Sequence, residues 1–178
     1  MKIGILADTH ITIKDDPQKV DLLISQLKQI FKDVDEIIHA GDICENFFLE
    51  ELNKIAPTKC VMGNLDNIED LVDFLKFSVG RYNIGVIHQL PQNLEDFIRK
   101  RNLNILIYGH SHQPIIEGTS YNVLLLNPGS PTKPKAPPPK PGFKPPIARP
   151  SVLILKIDEN DIISTFIINL DMTKKQIS

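Results

Sequence analysis

Six apolar runs of the sequence each end in polar residues, and five of these ends carry side chains that bind divalent metal ions. The donors are carboxylates, imidazoles and one carboxamide, a set that suits manganese, iron, zinc, nickel or cobalt better than a soft metal. The ends read, in order, Asp8-Thr9-His10, Gly41-Asp42, Gly63-Asn64, His88, Gly109-His110-Ser111-His112 and Asn127-Pro128-Gly129-Ser130. Their joint occurrence predicts one metal site.

Each of these patterns alone also has a structural explanation. Gly-Asp and Gly-Asn pairs are common in turns, because Asp and Asn tolerate left-handed backbone and glycine permits positive φ. A single histidine such as His88 at a strand end is more often hydrogen-bonded than a ligand. His110 and His112 are two residues apart, so on an extended segment they point in opposite directions and can bracket a site. The coincidence with the other ends favours the shared metal site.

The elements that must position these side chains alternate between strands and helices. Apolar spacing predicts strands at 2–7, 35–40, 57–62, 103–108 and 120–127, helices at 17–34, 45–55 and 93–102, and hairpins of 73–79 with 82–88 and of 151–158 with 161–171. In open α/β sheets, ligand-binding residues gather outside the carboxyl ends of the strands. The predicted fold class is α/β: a two-sheet β-sandwich flanked by helices, in four layers.

Length and composition fit a single domain over 1–178. The net charge of −2 argues against a nucleic-acid binder that works through a global basic field. Two cysteines, Cys44 and Cys60, are too few for a disulfide framework and indicate a reducing compartment. No apolar run approaches the ~20 residues that a membrane span requires, so no membrane partner is expected. The predicted location is cytoplasmic.

The segment at about 128–150 differs from the rest of the chain. It holds ten of the 14 prolines and five Lys or Arg residues, without an Asp or Glu. Proline at this density excludes a helix or a central strand and predicts an extended, polyproline-like loop. Two hypotheses stay open: a solvated insertion that restricts access, or a basic arm that attracts anionic substrates or a partner.

The phrases KIGILADTH, EIIHAGDI, VMGNLD, IGVIH, IYGHSHQP and LLLNPGS resemble the calcineurin-like metallophosphoesterases, most closely their small single-domain YfcE-like phosphodiesterase branch. The resemblance covers almost the whole chain. It implies two divalent ions, manganese being the leading expectation, with nickel, iron, zinc and cobalt as alternatives. It assigns one ion to Asp8, His10, Asp42 and His112, and the other to Asp42, Asn64, His88 and His110. Asp42 would bridge the two ions, and Asn64 is also the expected substrate contact.

The implied activity is hydrolysis of small phosphodiesters, in which a water between two metals becomes the attacking hydroxide. Two divalent ions and two carboxylates leave a charge of about +2, which suits a phosphodiester monoanion together with a hydroxide. The alternative is a catalytically weak or silent metal-binding scaffold for protein–protein interaction, because the small phosphoesterase-like subunit of the retromer coat shows that this fold can serve chiefly as an interaction module. A nuclease is a third hypothesis, supported by the basic loop alone. The physiological substrate and the oligomeric state, a homo-oligomer included, stay open.

Two departures from the related sequences concern the leaving group. Leu65 stands where many larger relatives have a histidine that assists the leaving group, and His88-Gln89-Leu90 replaces a common His-Gly-His. The general acid is therefore unassigned, and the rim near Leu65 and Leu90 is expected to be apolar. His39 and Asp66 are the first candidates for a proton donor.

Each of these two candidates also has a structural alternative. His39 fits a hydrogen-bonded core position better than direct metal ligation, and Asp66 fits a simple turn as well as it fits a role in orienting Asn64 or a water. The Asn127–Ser130 turn is expected to support the histidines, and both cysteines are expected to be packing residues.

Overall fold

The computed structural model describes residues 1–173 and contains two mixed five-stranded sheets packed face to face. The strands are β1 (Lys2–Leu6), β2 (Glu36–His39), β3 (Thr58–Cys60), β4 (Phe74–Val79), β5 (Tyr82–Ile87), β6 (Ile105–Ile107), β7 (Pro114–Gly118), β8 (Leu124–Pro128), β9 (Ser151–Ile157) and β10 (Ile163–Asn169). The helices are α1 (Pro17–Ile30), α2 (Asn46–Asn53) and α3 (Leu94–Arg101). The last five residues of the predicted domain, 174–178, lie outside the described part.

Each sheet contains three neighbouring parallel strands. The first sheet has the order β10-β9-β1-β2-β3, with β1, β2 and β3 parallel. The second has the order β4-β5-β6-β8-β7, with β5, β6 and β8 parallel. These six strands are the ones that precede the six polar ends, so the carboxyl ends within each sheet share one edge.

Alternation along the strands builds the layers, because successive side chains of a strand point to opposite faces. In β1, Ile5 is buried between the two sheets, whereas Leu6 packs on the outer face with Leu27 of α1 and Phe48 of α2. On the opposite outer face, Ile98 of α3 packs with Leu106 of β6 and with Tyr108, the residue after that strand. The predicted four-layer α/β sandwich is confirmed.

The helices begin and end at residues whose chemistry explains the limits. Asp16 caps α1 by accepting from the Gln18 amide, and Pro17 occupies the first turn, where no amide donor is needed. Asn93 caps α3 in the same way, and Asn102 ends it in the left-handed conformation.

Across residues 1–173, no helix has both the length and the apolar character needed to cross a membrane.

Strand β7 was not predicted from the sequence, and the strand after it begins later than predicted. β7 pairs antiparallel with β8 at the edge of the second sheet, and its residues are half-buried or exposed. It therefore lacks the continuous apolar run that marks a buried strand, and it starts at Pro114, a position that an edge strand tolerates. Asn122 has a φ of 60° in the β7–β8 connection, so β8 starts at Leu124 rather than at residue 120.

Candidate metal centre

The predicted donors converge at the edge where the parallel strands of both sheets end. Backbone hydrogen bonds join the loops that follow these strands: the Asp8 amide donates to the Gly41 carbonyl at 3.0 Å, and the His10 amide to the Asp42 carbonyl at 3.0 Å. In the second sheet, the Gly109 amide donates to the His88 carbonyl at 2.9 Å. The donor loops therefore fix one another as well as their side chains.

Three of the predicted donors form a first cluster of Asp8, His10 and His112. One donor atom from each lies within 4.8 Å of the others. The Nε2 atoms of His10 and His112 are 3.1 Å apart, and Asp8 Oδ1 lies 3.6 Å from His112 Nε2. Asp8 and His10 are buried, and His112 is half-buried.

Three others form a second cluster of Asn64, His88 and His110. Asn64 Oδ1 lies 3.0 Å from His88 Nε2 and 3.0 Å from His110 Nδ1. The two imidazole rings meet edge to face, with centroids 5.2 Å apart. His88 is buried, whereas Asn64 and His110 are exposed. The second cluster therefore opens to solvent on one side.

Asp42 lies between the two clusters. Its Oδ2 atom is 3.8 Å from His10 Nε2 in the first cluster and 3.5 Å from His88 Nε2 in the second. Its other oxygen, Oδ1, accepts a hydrogen bond of 2.8 Å from the Leu65 amide, which fixes the carboxylate plane. All seven predicted donors are thus brought together, with one carboxylate placed between two sets of three.

Five of the seven donors have left-handed backbone. Their φ angles are 53° at Asp8, 48° at His10, 58° at Asp42, 65° at His110 and 59° at His112. Such a conformation costs a non-glycine residue roughly 1–3 kcal/mol, persists only where the surroundings impose it, and clusters at functional sites.

These angles correct the expectation of an extended segment at His110 and His112. The backbone is left-handed at both residues, with Ser111 between them, and this conformation directs the two imidazoles to different clusters. Alternation along a strand is therefore the wrong reason for their separation.

Gly63 explains why the loop before Asn64 approaches so closely. A Cβ atom on Gly63 would lie 2.1 Å from the Asp42 amide nitrogen, a distance that no side chain tolerates. The glycine therefore permits the contact between the two loops that carry Asp42 and Asn64.

The hydrogen bonds behind the imidazoles test whether these residues fit metal ions. His88 Nδ1 lies 2.8 Å from the Ala40 carbonyl, and His112 Nδ1 lies 2.7 Å from the Lys133 carbonyl, so both nitrogens are donors. In the neutral rings each Nε2 then carries a lone pair, which faces the other predicted metal ligands. Asp8 Oδ2 is buried without a hydrogen-bond partner. An arrangement of converging lone pairs with an unsatisfied carboxylate oxygen fits cations.

The pKa directions follow from burial and from neighbouring charges. Burial raises the pKa of Asp8 to about 7 and lowers the pKa of His10 to about 4. Burial also acts to raise the pKa of Asp42, but the neighbouring His88 and the hydrogen bond from the Leu65 amide outweigh it, and the net shift is downward. Burial acts to lower the pKa of His88, but the Asp42 carboxylate raises it. A divalent cation would favour the deprotonated form of Asp8.

Asp66 joins the loops that carry Asp42 and Asn64. Its Oδ2 accepts from the amides of Asp42 at 2.9 Å and Gly63 at 2.7 Å, and its Oδ1 accepts from the Cys44 amide at 2.7 Å. A carboxylate that accepts three backbone hydrogen bonds positions the loops. Of the two alternatives at this residue, orientation of the site describes it better than a simple turn.

His39 is fully buried below the site. Its Nε2 atom lies 3.0 Å from the Thr9 hydroxyl, so it supports the Asp8–His10 loop from the core side. The structure thus places His39 as a hydrogen-bonded core residue, as its structural alternative predicted, and away from solvent. His39 is buried and Asp66 is held by three backbone amides, so the general acid stays unassigned.

The Asn127–Ser130 turn and the residues after it support the site from a third direction. Asn127 Nδ2 donates to the Gly109 carbonyl at 2.9 Å, and the Ser130 hydroxyl donates to the Asp8 carbonyl at 2.7 Å. The Thr132 hydroxyl donates to the Thr9 carbonyl at 2.7 Å. The sequence predicted support from the turn but not from Thr132 or the Lys133 carbonyl, because contacts with the backbone leave no pattern of residue types.

The predicted apolar rim is smaller than expected. Leu65 is 57% exposed beside Asp42, whereas Leu90 packs against a cluster that includes Ile87 and Ile98. Leu65 alone of the two therefore presents an apolar side chain to solvent at the site.

Comparison with known proteins shows the family of the chain. The family model for the calcineurin-like phosphoesterase superfamily domain matches residues 1–159 of the sequence. A probable metallophosphoesterase of Methanothermobacter thermautotrophicus is 35% identical over 89% of this chain and 87% of its own. The sequence prediction of a phosphoesterase is thereby confirmed.

Solved structures match as well. An archaeal phosphodiesterase superposes with a TM-score of 0.67 at 26% identity, covering 94% of this chain and 100% of its own. The Escherichia coli phosphoesterase YfcE superposes with a TM-score of 0.62 at 19% identity, covering 96% of this chain and 100% of its own, which shows a shared fold. Motifs, fold and family match lead to one conclusion: the chain belongs to the calcineurin-like phosphoesterase superfamily.

Proposed function

We propose that this protein is a dinuclear metal-dependent phosphodiesterase that hydrolyses small phosphodiesters. The observation that carries the proposal is the position of Asp42 Oδ2, which lies between His10 Nε2 at 3.8 Å and His88 Nε2 at 3.5 Å. In this proposal one ion is held by the first cluster with Asp42, and the other by the second cluster with Asp42. The proposed ligands are Asp8, His10, Asp42, Asn64, His88, His110 and His112.

Two divalent ions held there would activate a water as nucleophile and offset charge on the phosphoryl oxygens. The residues of the chain prepare the site for them. The Ala40 and Lys133 carbonyls hold His88 and His112 in the tautomers that direct Nε2 inward. The Leu65 amide orients Asp42, and Asp66 holds the loop that carries Asp42.

Asn64 is the proposed substrate contact. Its Oδ1 faces His88 and His110, which leaves the Nδ2 group of this exposed side chain to donate to a phosphoryl oxygen. Leu65 beside it presents an apolar surface that disfavours a second phosphate charge. We therefore propose a preference for diesters over monoesters.

Manganese is the proposed physiological metal, with nickel, iron, zinc and cobalt as alternatives, because the donors are oxygen and imidazole nitrogen. The test is a metal-reconstitution assay. Metal-stripped protein is given single metals and assayed on bis-p-nitrophenyl phosphate and p-nitrophenyl phosphate. We expect two equivalents of metal to bind, manganese to restore hydrolysis, and the diester to be cleaved faster.

The alternative is a metal-binding scaffold with weak or no catalysis. The observation that favours it is Leu65, which leaves the site without an imidazole donor for the leaving group. Binding of two equivalents with no turnover under any of the five metals would establish the scaffold and exclude the enzyme. Failure to bind two equivalents would exclude the dinuclear site itself.

A further inference from the structure

The segment 131–150, called the arm below, separates charge within the molecule. All five of its charged residues are cations, whereas all 22 Asp and Glu residues lie elsewhere with the other 15 of the 20 Lys and Arg residues. The arm therefore carries +5 and the remainder of the chain −7, although the whole chain has a charge of −2. The near-neutral total conceals a strongly basic surface.

The cations of the arm are available to a ligand. All five are exposed, and among residues 1–173 none lies within ion-pair distance of a carboxylate. They are Lys133, Lys135, Lys140, Lys144 and Arg149. Unpaired exposed cations spaced along one segment suit contacts with successive phosphates.

The arm starts at the metal centre. The Lys133 carbonyl accepts from His112 Nδ1 at 2.7 Å, and the Lys135 amide donates to the His112 carbonyl at 3.0 Å. An anion bound at the start of the arm would therefore lie beside the proposed metals.

An exposed aromatic side chain stands between two of the cations. The Phe143 amide donates to the Lys140 carbonyl at 3.2 Å, and this turn, with Gly142 at a φ of 81°, presents Phe143 with 77% of its surface exposed. Lys140 and Lys144 flank it in sequence. Cations interleaved with an aromatic side chain form the usual surface for single-stranded nucleic acid, because bases stack and phosphates pair with the cations.

We propose that the arm binds single-stranded oligonucleotides and directs their phosphodiester chain to the metal centre. Cleavage of the bound strand rests on the proposed function, whereas binding does not. An acidic peptide could meet the cations but would gain no base stacking on Phe143. The exposed cations and the single aromatic side chain, on a segment without helix or strand, favour a flexible strand over a duplex.

Binding is tested on full-length, metal-free protein, so that no cleavage occurs. The probe is a short fluorescein-labelled oligo-dT, followed by anisotropy over a series of salt concentrations. The arm variant is K140Q/K144Q/R149Q, and the matched control K32Q/R99Q/K100Q removes the same charges from exposed helical and turn positions. We expect the arm variant to reduce the slope of log K against log salt by about 2, since each single-strand phosphate contact contributes roughly 0.7. The control variant should leave the slope unchanged.

Stacking is tested by F143L, which keeps apolar bulk and removes the aromatic face. We expect it to weaken oligo-dT binding by roughly fivefold or more, as for loss of one base–aromatic stack. Poly-glutamate is the competitor that distinguishes the two partners. Competition by poly-glutamate as effective as that by unlabelled oligo-dT, or equal oligo-dT binding by the arm and control variants, would overturn the proposal.

Turnover separates this proposal from the proposed function. With manganese-loaded protein, the arm variant should lose more kcat/KM on oligo-dT than on bis-p-nitrophenyl phosphate. Absence of hydrolysis of either substrate by the wild type would contradict the phosphodiesterase and leave the binding result to decide on the arm. Equal losses on both substrates would contradict delivery of the strand to the site.

Discussion

The two donor clusters differ in how firmly the protein holds them. In the first, Asp8 and His10 are buried. The start of the arm holds His112 twice: the Lys133 carbonyl accepts from its ring Nδ1, and the Lys135 amide donates to its backbone carbonyl. In the second, His88 alone is buried, and Asn64 and His110 contact each other at the solvent boundary.

This difference assigns different tasks to the two halves of the centre. The first cluster is preorganised, because its donors are fixed by contacts that do not depend on a ligand. The second offers the open side through which a phosphoryl group can approach. We therefore expect the first cluster to bind its ion more tightly and the second to exchange its ion and contact substrate.

The most disruptive change should be Asp42→Ala, since this carboxylate serves both clusters. We expect diester hydrolysis to fall by more than about a hundredfold, beyond the usual cost of losing a group that merely supports a ligand. Metal content should fall as well, measured by elemental analysis of the purified variant. Asp33→Ala, at an exposed surface carboxylate, is the control. Two retained ions with full turnover would show that Asp42 does not bridge.

His112→Ala and His110→Ala compare the clusters directly. Each variant should lose about one equivalent of metal, because the two imidazoles face different clusters. In the wild type, titration with a chelator should remove the two ions in two steps, and His110→Ala should abolish the easier step. The assignment fails if either variant keeps both ions. Loss of both ions in each variant would instead mean that the two clusters bind as one unit.

Asp66→Asn tests the support that both clusters share through Asp42. The amide is nearly the same size but cannot accept from three backbone amides as the carboxylate does. We expect metal affinity to fall roughly 10- to 100-fold, as for loss of a group that orients a ligand. Isothermal titration calorimetry measures the affinity, and circular dichroism verifies the fold. An unchanged affinity would reduce Asp66 to a turn residue.

The pH dependence should identify the first cluster through Asp8. Burial raises the pKa of Asp8 to about 7, and metal binding requires the deprotonated form. Affinity should therefore fall about tenfold for each pH unit below 7, while His10, whose pKa burial lowers to about 4, is already neutral in that range.

Proton release measures this coupling directly. Calorimetry in buffers of different ionisation enthalpy should show about one proton released from Asp8 near pH 6 and almost none from it near pH 8. His88, whose pKa is raised by Asp42, adds to the release at the lower pH. Equal proton release at both pH values would contradict the raised pKa of Asp8.

The smallest effect on the preferred substrates is expected at Leu65, on the open side. Without a proton donor, the wild type should cleave aryl diesters far better than alkyl diesters, with a steep dependence on the pKa of the leaving group. Leu65→His should change the rate on aryl diesters by less than about tenfold and make that dependence shallower. Kinetics on a series of diesters measure both, and Leu65→Gln is the control. A wild-type rate that is independent of leaving-group pKa, with chemistry rate-limiting, would mean that another residue supplies the proton.

The sequence by itself determined which donors exist and roughly where they lie. Asp8, Asp42 and His88 each follow an apolar run. Such runs indicate buried strands, because a strand buried on both faces needs apolar residues along its length. The family motifs and the proline-rich segment were equally visible, since both depend on residue identity and spacing.

Tertiary structure alone decided how the donors are held and which side of the centre is open. The left-handed backbone at His110 and His112 arises from contacts between loops, and no local pattern predicted it. Asp66 and the Lys133 carbonyl act through backbone amides and carbonyls, which every residue type supplies and no sequence pattern marks. The exposure of the second cluster depends likewise on which segments of the folded chain cover it, a property of packing between distant parts of the sequence.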